Sequence, residues 1–134
     1  MMTPDGGIAV TVTNGTGSAS VKGSLVSASP TADNSVILQT NEYDTVGIVY
    51  DGGVADGNKM RIVVAGIAKV LFKNSVQAVR GYVAIAADTD GRATNIDVPS
   101  SNPVVGEHFK EIGHVLENKN GSTDVLVKCF IHFN

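Results

Sequence analysis

Arg61-Ile62-Val63-Val64-Ala65-Gly66-Ile67-Ala68-Lys69-Val70-Leu71-Phe72 is the stretch that decides the fold. Its β-branched side chains fit a pleated sheet and lose rotamer freedom in a helix, so it predicts one long strand. Gly66 at its centre predicts a bulge or a close approach of another backbone. Further strand segments follow: Gly81-Tyr82-Val83-Ala84-Ile85-Ala86-Ala87, then Gly113-His114-Val115-Leu116-Glu117, then residues 123–132. Between them, Asp88-Thr89-Asp90-Gly91 and Asn118-Lys119-Asn120-Gly121 are tight-turn signals.

The same pattern extends towards the N-terminus. Ile8, Val10 and Val12 alternate with Ala9, Thr11 and Thr13, as a half-buried strand does. Asn14-Gly15-Thr16-Gly17 then predicts a hairpin, with a second strand over residues 19–26 returning beside the first. Val36-Ile37-Leu38 and Gly47-Ile48-Val49-Tyr50 read as short strands on either side of a polar turn. Arg80-Gly81 marks a bend. Residues 96–103 hold two prolines and read as an exposed connection, and residues 104–112 are expected to form one or two helical turns that Gly113 ends.

Composition agrees with this reading. Val and Ile number 29 against 5 Leu, and 15 glycines suit tight turns. The expectation is an all-β fold with at most one short helix, a compact β-sandwich or small β-barrel-like domain built from hairpin strands. Its 134 residues suit a single domain, expected as a flexible N-terminal arm over residues 1–7 and a β-rich domain over residues 8–134. With 43% hydrophobic and 17% charged residues the chain is too apolar to be disordered and lightly charged for a free monomer.

Several function classes lose support here. A net charge of −3 with scattered Lys and Arg is a poor match to a phosphate-backbone binder, so no nucleic-acid partner is expected. No apolar run approaches the length of a membrane span, and residues 1–7 lack the pattern of a secretory signal, so synthesis in the cytoplasm and no membrane partner are expected. Cys129 lies in an apolar run and reads as a small buried hydrophobe rather than a reactive thiol.

The motifs that could carry chemistry each have a plainer explanation. Asp88-Thr89-Asp90-Gly91 resembles the start of a calcium loop, but the twelfth position, which needs a bidentate Glu, is Pro99. Glu111-Ile112-Gly113-His114 has the Glu-x-x-His spacing of di-iron bundles, yet those sites need two such motifs on helices. Glu107 and His108 nearby make a surface zinc contact conceivable, short of a full ligand set, and His132 reads as an ordinary residue of the last strand. In Gly15-Thr16-Gly17-Ser18 the glycine-loop pattern fails at Ser20. No catalytic, cofactor-binding or metal-binding residue is therefore assigned, no cofactor is expected, and the chain is read as a non-enzyme.

The segments together resemble the small head decoration (capsid accessory or cement) proteins of tailed bacteriophages. The resemblance is carried by residues 46–50 with 53–57, by Val63-Val64-Ala65-Gly66-Ile67-Ala68-Lys69-Val70-Leu71, by Arg80-Gly81-Tyr82-Val83 and Asp90-Gly91-Arg92-Ala93, and by residues 108–117. It implies a virion protein made in the host cytoplasm and carried on the outer capsid surface, a homo-oligomer with a trimer favoured, stabilising the shell through the major capsid protein. It transfers no catalytic residues. The alternative is a β-sandwich binding module, a phage fibre or carbohydrate-binding domain, with Tyr43, Tyr50 and Tyr82 lining a shallow sugar site.

Overall fold

The computed structural model describes residues 1–97 and 110–133. Its elements are eleven β-strands: β1 (Gly7–Asn14), β2 (Leu25–Ala28), β3 (Ser35–Leu38), β4 (Gly47–Val49), β5 (Lys59–Phe72), β6 (Gln77–Ala78), β7 (Val83–Ala86), β8 (Ala93–Ile96), β9 (Glu111–Val115), β10 (Lys119–Asn120) and β11 (Val125–Ile131). The all-β expectation holds for these elements. Of residues 104–112, expected as helical turns, 104–109 lie outside the described residues, while Glu111 and Ile112 open β9. The connection expected over 96–103 begins with Ile96 at the end of β8, and residues 98–103 are likewise outside the description.

Nine strands form one sheet in the order β1-β3-β2-β4-β5-β11-β9-β7-β8, and β1 and β8 each also pair with β5. The sheet therefore closes twice around its longest strand. The first ring, β1-β3-β2-β4-β5, closes along an antiparallel β1–β5 ladder running from Gly7↔Gly66 to Thr13↔Lys59. The second, β5-β11-β9-β7-β8, closes where Phe72 meets Ala93 and the Lys73 amide donates to the Ala93 carbonyl at 3.0 Å. Closure removes sheet edges that would otherwise template pairing.

Each ring has its own apolar core. Val26, Val36, Val49, Met60 and Ile62, with Val12 packed against them, draw on all five strands of the first ring. Ala68, Val70, Phe72, Ala84, Ala86, Ala93, Ile112, Val115, Val127, Cys129 and Ile131 do the same for the second. Leu25, Ile48 and Val63 are paired side by side across β2, β4 and β5 and join this second core, welding the two rings together.

Strand β5 serves both cores by changing faces. Met60 and Ile62 belong to the first core, whereas Ala68, Val70 and Phe72, at the same parity, belong to the second. A one-residue irregularity in the β1–β5 register, where Ile8↔Ala65 is followed by Ala9↔Val63, supplies the switch, because one extra residue inverts every later side chain. Gly66, at φ 84°, lies beside it against the Gly6 carbonyl, matching the bulge and close approach read from its position.

Two pairings differ from expectation. The β1 hairpin does not form: β1 pairs with β5 and, in parallel, with β3, while residues 19–24 are loop and β2 pairs with β3 and β4. The reason is Asn14. Its side chain is fully buried and donates to the Ser18 and Val54 carbonyls while accepting from Thr16, so the segment curls inward instead of reversing. Likewise the turn expected at Asn118-Lys119-Asn120-Gly121 contains β10, which pairs with β6.

Residues 1–7, expected as an arm, fold back on β1. The Ala9 amide donates to the Met1 carbonyl at 2.7 Å, the Thr3 amide to the Gly7 carbonyl at 2.8 Å, and Thr3 is buried.

Candidate functional site

Glu111, His114 and His132 come together on the outward face of β9 and the end of β11. Alternation alone would send residues 111 and 114 to opposite faces of a strand. A bulge prevents this: β7 pairs Ala84 with Gly113 and Ile85 with Glu111, so Ile112 is extra and points into the core. Glu111 and His114 are thereby left on the same side. Gly113 makes the bulge possible, since at φ 152° a Cβ there would run into the Phe130 carbonyl.

The residue that follows β11 supplies the third group. Phe130 lies opposite His114, Ile131 opposite Gly113, and the His132 amide donates to the Ile112 carbonyl at 3.0 Å. His132 Nε2 is 3.1 Å from His114 Nδ1 and 3.5 Å from Glu111 Oε1, and the two rings tilt at 35° with centroids 5.1 Å apart. All three residues are half-buried. The Glu-x-x-His spacing is visible in the sequence; the approach of His132 is not, because it depends on the β9–β11 register.

Beside this cluster lies an outward apolar row. Phe130, 51% exposed, is flanked by Ile67 on β5 and His114 on β9. Ile8, Val10, Val21, Val46 and Leu116 are also exposed.

The other sequence candidates resolve into structural roles. Asp88 to Gly91 is the β7–β8 turn, closed by the Arg92 amide on the Thr89 carbonyl. The Asp88 carboxylate accepts from Lys73 at 2.8 Å, which holds it below its usual range. In the Gly15 to Ser18 loop, the Gly17 amide donates to Asp56 Oδ1 at 2.8 Å. Cys129 is fully buried, and burial pushes its thiol up to about 12, so it is inert at neutral pH.

The three tyrosines sit on different elements. Tyr50 follows β4 and packs against two cations, Lys22 Nζ at 4.1 Å and the Arg61 guanidinium at 4.9 Å from its ring centre. Arg61 in turn grips Asp51 with Nε to Oδ2 at 2.8 Å and a second nitrogen to Oδ1 at 2.6 Å. That side-chain contact keeps the Asp51 carboxyl below the ordinary range. Tyr82 precedes β7, and its carbonyl accepts from Val115. Tyr43 lines a cleft of about 240 Å³ with Gln39, Thr40, Asp44 and Lys110. That volume is below the range of most small-molecule sites.

No family model matches the chain, and no curated protein matches it. Among solved structures, the chain is similar to the N base of the head fiber gp8.5 of bacteriophage phi29, with a TM-score of 0.58 and 15% identity over 93% of each chain. At that identity the likeness is one of fold.

Proposed function

We propose that this chain is a structural, non-enzymatic component of a bacteriophage virion. It decorates the outer face of the head, binds the major capsid protein and associates with identical copies as a trimer. The observation that supports this reading is the fold shared with a phage head fiber base over 93% of both chains. Outward apolar side chains on a sheet that already fills two cores add to it. Phe130, Ile8, Val10 and Leu116 offer area to bury against another protein surface. On a shell, repeated weak contacts add through avidity.

The test is co-sedimentation with purified heads together with the mass in solution from light scattering. Binding that saturates and a mass of three chains are expected. A monomer that stays in the supernatant removes the proposal.

A second reading is a fibre-type binding module, favoured by the likeness to a head fiber base, with the shallow cleft that Tyr43 lines as its place to test. Binding on a glycan array that disappears in Tyr43→Ala would promote it over the first.

A further inference from the structure

We infer that Glu111, His114 and His132 form a Zn²⁺ site on the outer face of the second ring. Their ligand atoms all lie within 4.8 Å of one another, and the two shortest separations, 3.1 and 3.5 Å, share His132 Nε2. Tetrahedral zinc with bonds of about 2.0–2.1 Å holds neighbouring ligand atoms about 3.3 Å apart, so the two separations at His132 need little adjustment, while Glu111 and His114, within 4.8 Å, must draw closer on binding. An imidazole nitrogen and a carboxylate oxygen both converge on Nε2 of His132, which can offer them either one hydrogen to share or, to a metal, one lone pair. A cation takes one lone pair from each of the three residues, so the same convergence suits a metal.

The donor set selects the metal. Two imidazoles and one carboxylate suit zinc, whereas calcium and magnesium prefer oxygen ligands throughout. Three protein ligands leave a fourth position for water or a group from another molecule.

The backbone is already arranged for the site. Glu111 and His114 share a face through the bulge at Ile112 and Gly113, and the His132 backbone is held by the hydrogen bond its amide donates to the Ile112 carbonyl. Ligands on paired strands keep their geometry better than ligands on loops.

The experiment is a titration of the full chain with Zn²⁺, followed by calorimetry and by the side-chain nitrogen resonances of its histidines. One equivalent is expected to bind at micromolar concentration and to shift the His114 and His132 ring nitrogens. Cobalt in its place is expected to give the visible absorption of a tetrahedral site. Losing even an outer partner of a metal ligand costs about 10–100-fold in affinity, so His114→Ala, His132→Ala and Glu111→Gln should each weaken binding at least about tenfold. Unshifted ring nitrogens in the wild-type chain at micromolar zinc would overturn the inference, with no variant required. Binding that survives unchanged in the folded double variant His114→Ala/His132→Ala would overturn it equally.

Discussion

Gly66 faces Gly7 across the β1–β5 ladder, at the point where β5 transfers its apolar residues from one core to the other. A Cβ on Gly66 would lie 2.6 Å from the Gly6 carbonyl oxygen, and one on Gly7 would lie 2.6 Å from the Ile67 carbonyl oxygen. The two rings can share a strand because two backbones meet here without side chains between them.

Gly66→Ala is therefore expected to destabilise the fold. A left-handed backbone conformation costs a non-glycine residue about 1–3 kcal/mol before the collision with Gly6 is counted. Urea unfolding should show a lower midpoint. A midpoint equal to wild type would mean that the junction relaxes freely.

Asn14→Ala should cost about 2 kcal/mol, since it removes a buried side chain that bonds Thr16, Ser18 and Val54 and takes the amide donor from the Val54 carbonyl. Asn14→Asp is expected to be no better, because the amide donates to two carbonyls and a carboxylate cannot. Thermal unfolding of both variants provides the check.

Acid should weaken the Asp51–Arg61 contact. The folded Asp51 carboxyl titrates below its unfolded value of about 3.9. Its stabilisation is thus complete above that value and is lost as pH falls through the folded one. Asp51→Asn should lower Tm at neutral pH and flatten its dependence on the acid side of about pH 4, the two proteins converging once the folded carboxyl is protonated. Parallel Tm profiles would contradict the assignment.

Phe130→Ser separates surface from core. With its side chain outward, the change should leave stability within about 0.5 kcal/mol, while weakening binding to heads or self-association. Unaltered association would place the contact surface elsewhere on the molecule.

Much of the fold was legible in the chain. The β-branched run around Gly66, the strands at Val36 to Leu38 and Gly47 to Val49, and the turn at Asp88 to Gly91 all stand where their residue types place them. Pairing partners were less visible. Asn14-Gly15 has the residues of a hairpin turn, and only the burial of the Asn14 amide, a tertiary fact, sends β1 to β5 and β3 instead. The same holds for His132. The β9–β11 pairing is centred midway between Val115 and Cys129, beyond the turn residues Asn118 to Gly121, because β10 is taken up by β6. A register read from the turn alone leaves His132 far from His114, and the half of the cluster visible in the sequence, Glu111 and His114, depends on a bulge to face one way.

The most direct measurement is the copy number of this chain in purified intact virions, by quantitative mass spectrometry with localisation in a cryo-EM reconstruction. A fixed stoichiometry to the major capsid protein, with density for the double-ring fold outside the shell, is the expected result. Virions lacking the chain, or holding it inside the shell without symmetry, would contradict a role on the head surface.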